Sequence, residues 1–481
     1  RASATNSLLI LLLTGIAVAI PVSEIAISLT NWIVVKIQKP TVFVKLELKE
    51  GIPDDMKTIV VIPAILSDEK RVAQLIETME NHYISNSEKN LFFALVGAFK
   101  DFGEVDAEDD VEILQATFEG ILDLNHKYAK DDKEIFYFYH RIRKFNENDG
   151  NWTGWERKRG ALMEFNDILL GSGDTSFNFY SNVELPATDI KYVITLDADT
   201  LLPMGMAKKM IGTMAHPLNV PIIDREIGIV THGHGLMQPR VSFDVDSSNR
   251  SIFSRVYTGQ EGIDPYASAI SDVYQDLFDE GIFTGKGIYD LNVFQEVLKD
   301  TIPNNAVLSH DLLEGSYVRA ALVNDLELVD AYPSRYNAYI TRMYRWIRGD
   351  WQLLPWLGKQ PYNGNNERSK NALSMLSRWK IIDNLRRSLV SITIIVLLIL
   401  GFSVLPGSSL FWVMLALLTV TLPLLMALVD RLFSGKFMPD RVKRHIGGFF
   451  GLKASISQLA LRVVFIAYQS TVALSAIFVT L

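Results

Sequence analysis

The sequence predicts a mixed α/β domain with a mostly parallel sheet, carried between membrane-spanning helices. Three observations predict it. Short β-branched and aromatic runs alternate with helical stretches through the middle of the chain. Four apolar stretches, one at the start and three at the end, are each near the roughly 20 residues that a spanning helix needs. Charge sits between them, so mean hydropathy is positive although 21% of the residues are charged.

The strands come first. Thr58-Ile59-Val60-Val61-Ile62-Pro63 is apolar and β-branched, as suits a parallel strand buried on both faces. A helical stretch at about residues 70–82 follows, then Leu91-Phe92-Phe93-Ala94-Leu95-Val96 as a second strand. Phe136-Tyr137-Phe138-Tyr139 is a weaker third, and Lys191-Tyr192-Val193-Ile194-Thr195-Leu196 a strong fourth. The acidic run at residues 104–110 reads as a solvated loop or helix start. In sheets of this kind ligands bind beyond the carboxyl ends of the strands, which directs attention to the residues just after each strand.

The apolar stretches cover about residues 8–35, 389–405, 410–429 and 459–481. The first contains Pro21 and Glu24, so a kink or tilt is expected there. Its length and the lack of a small-residue cleavage pattern favour a spanning helix over a signal peptide. Lys36 and Lys39 follow the first span, and Arg378, Lys380, Arg386 and Arg387 precede the second. The turn Pro406-Gly407-Ser408-Ser409 is uncharged, and the next connection carries Arg431, Lys436, Arg441, Lys443, Arg444, His445 and Lys453. Basic loops stay inside, so the middle of the chain is expected in the cytoplasm. The expected organisation is an N-terminal transmembrane segment (1–39), a catalytic domain with interfacial helices (40–387), and transmembrane helices (388–481) with a basic cytoplasmic connection near 431–457. Residues 441–453 mix bases with Phe449, Phe450 and Leu452, a pattern that fits an interfacial helix or a plain basic loop. The net charge of −8 argues against a nucleic-acid partner. With no cysteine, disulfides and thiolate zinc sites are excluded.

Chemistry gathers in five places. Asp197-Ala198-Asp199 closes the strongest strand, where two carboxylates can meet a hard divalent cation, Mg²⁺ or Mn²⁺, and a diphosphate. Trp155-Glu156-Arg157-Lys158-Arg159-Gly160 sets cations before a helix, as a diphosphate site requires. Phe283-Thr284-Gly285-Lys286-Gly287 is a glycine turn that could line an acceptor site or be an ordinary turn. In Ser309-His310-Asp311-Leu312-Leu313-Glu314, Asp311 is the candidate general base, with Glu314 to orient it or bind the acceptor. Arg342-Met343-Tyr344-Arg345-Trp346-Ile347-Arg348-Gly349-Asp350-Trp351 offers arginines for a leaving diphosphate and tryptophans for a sugar face. His232 and His234 lack a third imidazole or thiolate nearby and read as structural.

Together these motifs resemble the processive, inverting GT-A glycosyltransferases that include cellulose and hyaluronan synthases. Where that family usually has Thr-Glu-Asp, this chain has Ser309-His310-Asp311, and Arg342 stands where its late motif starts with Gln. Residues 155–162, 196–203, 230–241, 281–289, 310–315 and 342–351 look closer still to the glycosyltransferase region of cyclic β-1,2-glucan synthases, over most of the chain from about residue 55. The resemblance implies a Rossmann-like GT-A domain, UDP-glucose as donor, a β-glucan chain as acceptor, a divalent metal and successive β-1,2 linkages. It implies a multi-pass protein of the bacterial inner membrane in contact with lipid, and cyclising and length-control domains outside this chain. It assigns Asp101 to uridine, Lys158 and Arg159 to the diphosphate, and Asp197 and Asp199 to nucleotide and metal. Asp311 is the base, and Arg345 and Trp346 lie at the diphosphate and acceptor. Gly285, Lys286, Gly287, Glu314 and Trp351 are expected on the acceptor side. Another processive β-glycan synthase, a lipid-linked transferase, a transporter, and a sensor with a degenerate transferase domain are the competing readings. A sensor would be expected to lose Asp199 or Asp311, and no span carries an evident chain of ionisable residues for transport. Gln458, Arg462, Tyr468, Gln469 and Ser470 are the one polar cluster in the last span.

Overall fold

The computed structural model describes residues 2–128, 134–147, 150–172, 175–180, 189–258, 272–434 and 452–481. Residues 441–451 of the expected interfacial segment at 441–453, and most of the basic connection, therefore fall outside the described residues.

The thirteen strands run in chain order: β1 (Thr58–Leu66), β2 (Leu91–Phe99), β3 (Phe136–Arg141), β4 (Arg143–Asn146), β5 (Asn151–Gly154), β6 (Phe177–Tyr180), β7 (Tyr192–Thr195), β8 (Thr200–Leu201), β9 (Ile222–Asp224), β10 (Ile229–His232), β11 (Leu236–Phe243), β12 (Gly287–Asp290) and β13 (Ala320–Asp330). Nine of them form one sheet in the order β6-β3-β2-β1-β7-β12-β11-β13-β8. β6, β12 and β8 run against the other strands, which are parallel. β4–β5 and β9–β10 are separate two-stranded ribbons. Strands β1, β2, β3 and β7 fall where the apolar runs predict them. β11 and β13 pair with a register shift between Pro239 and Arg240; the outer half of β11 is only partly buried, whereas β13 keeps Leu326 and Leu328 in the core.

The sheet divides the core. On one face, Ile59, Val61, Val193 and Tyr289 pack on the helix Arg157–Leu169 and on the helices Leu291–Leu298 and Asp311–Tyr317. On the other, Val60, Ile62, Phe93 and Ile194 pack on the helices Glu69–Ser85, Asp110–Tyr128 and Met206–Met214. Alternate residues of the central strands thus serve opposite faces, which is why those runs read as unbroken apolar sequence. From β1 the chain winds outward through β2 and β3, then returns to lay β7 on β1's other edge. The crevice at such a reversal is where open α/β sheets bind ligands.

Among the described residues, four helices are long and apolar enough to cross a membrane: Ile10–Ile37, Met375–Ser403, Ser409–Met426 and Ile456–Thr480. The first belongs to a helix that continues through Pro21 (Ala2–Ile37). The second begins well before the apolar stretch at residue 389, so the boundary expected at residues 387/388 lies inside one helix. Its basic residues are also tied up. Lys380 is buried, with Nζ 2.7 Å from Glu280 and 3.0 Å from the Gly281 carbonyl. Arg386 joins Glu24 of the first helix (2.6 Å) and Asp383 (2.8 Å), and Arg387 lies 3.6 Å from Asp383. This inter-helix ion network is one the sequence does not reveal, because Glu24 and Arg386 lie at opposite ends of the chain. Gln458 of the last helix donates to the Val256 carbonyl (2.7 Å), so it docks that helix on the domain.

Candidate active site

The helix Arg157–Leu169 starts with Lys158 at the end of the sheet. Glu156 and Arg157 have φ of 51° and 47°, left-handed values that are uncommon outside glycine and turn the chain sharply into the helix. Gly160 lets that turn close, since a Cβ there would collide with the Trp155 carbonyl oxygen. Lys158 is thereby aimed across the end of β7. Its Nζ pairs with Asp197 and donates to the Gly285 carbonyl at 2.6 Å. Lys286, almost fully buried, reaches the other Asp197 oxygen at 2.8 Å and also pairs with Asp330, which accepts from the Thr200 hydroxyl at 2.6 Å. Burial works against a charge on Asp197, but Lys158 and Lys286 outweigh it and hold the carboxyl far below the usual carboxylate range. Asp199 is shifted the other way. Burial raises it, the charges of Asp330 and Asp197 add to the shift, and Lys286 and Arg342 oppose.

Opposite this cluster stands Asp311, the first residue of the helix Asp311–Tyr317. Gly285 has φ +88°, and a Cβ on it would lie 3.0 Å from Asp311 Oδ1. The glycine turn is therefore the floor on which the Asp311 carboxylate rests. Burial raises the Asp311 pKa above the usual carboxylate value; His310 and Lys158 oppose the shift, while Glu314 and Asp197 add to it. His310 Nδ1 lies 2.8 Å from Glu314 Oε1, and the ligand atoms of His310, Asp311 and Glu314 lie within 4.8 Å of one another. A metal ion tolerates that spacing too; His310 Nδ1 stands at ion-pair distance from Glu314 without hydrogen-bond alignment to it. Lys158, Thr195, Phe283, Gly285 and Asp311 line one narrow cleft. A helix packs over its rim: Gly349 of Tyr336–Gln352 meets Ser309, and the Gln352 side chain accepts from the Leu308 amide at 2.7 Å.

Lys158, Asp197, Asp199, Gly285 and Asp311 thus come together. Others of the predicted residues have different surroundings. Asp101 lies past the end of β2, exposed, in an ion pair with Arg157 at 2.9 Å. Arg159 is buried and spends its guanidinium on Glu156 (3.1 Å) and the Ile302 carbonyl (3.0 Å). Lys286 and Glu314 are not open to an acceptor, because the first is buried between two aspartates and the second is buried under His310. Gly287 begins β12, where a Cβ would strike the Met237 carbonyl oxygen. Trp351 is turned toward the membrane helices, its indole N–H donating to Ser388 Oγ at 2.9 Å. On the same helix Arg345 and Trp346 are exposed, and it is Arg342 whose charge is felt at Asp199. Asp330, the pairing of Lys286 with Asp197 and Asp330, and the charge of Arg342 at Asp199 are what sequence reasoning missed. Asp330 ends a strand with no motif around it, so its only sequence signal was its place after an apolar run. His234 is buried against Phe43 while His232 is exposed, so the two do not form a metal pair.

No family model matches the chain. Over 466 residues it is 40% identical to the cyclic beta-(1,2)-glucan synthase NdvB of Rhizobium meliloti (strain 1021). This chain is similar to one segment of a cyclic β-1,2-glucan synthase. The match takes in 95% of the chain but only 16% of that much longer relative. Among solved structures, the mannosyltransferase PcManGT from Pyrobaculum calidifontis, in complex with GDP-Man and Mn2+, aligns with a TM-score of 0.43 at 12% identity, over 99% of this chain and 98% of that one.

Proposed function

We infer that this chain is a membrane-anchored, inverting glycosyltransferase that moves glucose from UDP-glucose onto a growing β-1,2-glucan. The observation that carries this reading is the Lys158 bridge. One ammonium touches both Asp197, at the end of β7, and the carbonyl of Gly285, on which Asp311 rests. A donor diphosphate and a deprotonating carboxylate would then share one cleft. The 40% identity to a segment of a cyclic β-1,2-glucan synthase supports glucose and the β-1,2 linkage.

In the proposed reaction the acceptor hydroxyl oxygen bonds to the glucose anomeric carbon from the side opposite UDP. The bond from that carbon to the β-phosphate oxygen breaks, UDP leaves with the electron pair, and Asp311 takes the hydroxyl proton. The raised pKa of Asp311 suits a base that must accept a proton and release it again. Lys158 would lie beside the departing diphosphate, with Arg342 behind it. Asp197 and Asp199 offer only oxygen, and burial, then the charges of Asp330 and Asp197, disfavour a lone charge on Asp199, so a hard divalent cation fits beside it. Mg²⁺ or Mn²⁺ held by Asp197 and Asp199 would supply compensation for the charge on UDP. We assign the domain to the cytoplasmic side of a bacterial inner membrane, on the basic residues flanking the spans and the cytoplasmic supply of nucleotide sugars.

The test is a reaction of the chain in membranes with radiolabelled UDP-glucose, followed by linkage-specific glucanase digestion. A polymer cut only by a β-1,2-glucanase is the expected product. A β-1,4 polymer, or a single glucose on a lipid, would replace this reading with a cellulose-like or a lipid-linked transferase.

A further inference from the structure

A buried histidine lies beside Asp311 and has no part in the reaction above. His310 holds the N-cap position of the helix Asp311–Tyr317, yet its side chain caps no backbone amide. The ring instead crosses the first turn, with Nδ1 2.8 Å from Glu314 Oε1 and 3.8 Å from Asp311 Oδ1. His310 and Glu314 are nearly fully buried, whereas the Asp311 side chain keeps 29% of its exposure, on the cleft side. The backbone beneath them is fixed, because the Glu314 amide donates to the His310 carbonyl at 3.0 Å and Ser309 is wedged under Gly349.

The charged and titratable groups facing this pair come from four elements, one of them β12, whose buried Tyr289 lies within reach of the Glu314 charge. Glu314 and Asp311 lie on its own helix. Arg159 and Lys158 face it from the helix Arg157–Leu169, with Arg159 paired to Glu156. Asp197 faces Asp311 from the end of β7 and is shared between Lys158 and Lys286. Burial disfavours a charge on the imidazole, but Glu314 at contact, helped by Asp311 and opposed by Arg159, raises it above the ordinary histidine value. At Asp311, burial, Glu314 and Asp197 all disfavour the carboxylate, and His310 is the strongest group favouring it, ahead of Lys158.

We propose that His310 is a positioning residue for transfer: paired with Glu314, it holds a positive charge against the Asp311 carboxylate and keeps that base ionised in a buried, carboxylate-rich site. The inference rests on the reading of Asp311 as the base. Glu314, drawn from the sequence as an acceptor contact, becomes the anchor of the histidine.

The experiment measures glucan transfer against pH, and UDP-glucose affinity separately, for the whole membrane-embedded chain. With H310Q the acid limb of transfer moves to higher pH by about one unit or more, a roughly tenfold loss below the limb that is recovered on the alkaline side. Donor affinity stays within about twofold of wild type. The double variant H310Q/E314Q removes one charge of each sign and brings the limb back toward wild type. H310N, also neutral, carries the same comparison where H310Q fails to accumulate. A uniform loss at every pH, or a double variant no closer to wild type than H310Q, overturns the role of His310 while leaving the base in place. Transfer that survives Asp311→Asn overturns the base reading and this inference with it.

Discussion

Lys286 gives the sharpest test of the geometry at the end of β7. It is only 3% exposed, and its ammonium sits between Asp197 and Asp330. Replacing it with methionine keeps the volume and removes the charge. Asp330, also 3% exposed, is then left with the Thr200 hydroxyl alone. Breaking a buried ion pair from one side costs about 3–5 kcal/mol, because the remaining charge is stranded. At roughly 2 °C per kcal/mol for a domain of this size, K286M should melt about 6–10 °C lower than wild type near neutral pH. Thermal unfolding of the detergent-solubilised chain near neutral pH measures this, with K286M/D330N as the partner variant. The double variant should recover most of the loss. If K286M melts like wild type, or if K286M/D330N is no better than K286M, the buried Asp197–Lys286–Asp330 bridge does not hold the end of β7 in place.

Three further outcomes are expected. Asp311→Asn leaves UDP-glucose affinity nearly intact and lowers transfer by about 10²–10⁴-fold, measured as polymer formed per enzyme; near-normal polymerisation would move the base elsewhere. Donor turnover stops in excess EDTA and returns with Mg²⁺ or Mn²⁺, and Asp199→Asn raises the metal concentration required; full activity in EDTA would shift the load to Lys158 and Arg342. Gly285→Ala puts a Cβ 3.0 Å from Asp311 at a φ of +88°. The left-handed backbone alone costs about 1–2 kcal/mol, so roughly a tenfold loss of transfer with unchanged membrane insertion is expected, and wild-type transfer would mean that the floor of the cleft is soft.

The central strands were legible because burial on both faces writes an unbroken apolar run into a short stretch of sequence. Asp197 and Asp199 stood out because they end such a run, and Asp311 because a carboxylate opens a short helix after polar residues. The membrane helices were legible from length and hydropathy alone. All of these are local signals, in which one segment carries its own evidence.

What tertiary structure decided is the set of partners. Lys286 read as part of a glycine turn until β13, ending 44 residues later, brought Asp330 to its ammonium. Arg386 looked like a cytoplasmic flanking charge until the first and second helices packed and set Glu24 beside it. Trp351 looked like a sugar platform until its indole found Ser388, and Arg342 was passed over for Arg345 because only the crossing of its helix over the rim chooses which arginine faces Asp199. The physical reason is common to all four. A buried charge must be paired, and an indole N–H that is covered seeks an acceptor, but neither demand names its partner in the sequence. The fold supplies the partner by closing a sheet and crossing helices between segments that are far apart in the chain, and so it settles which of the polar residues face the cleft and which are spent on holding it together.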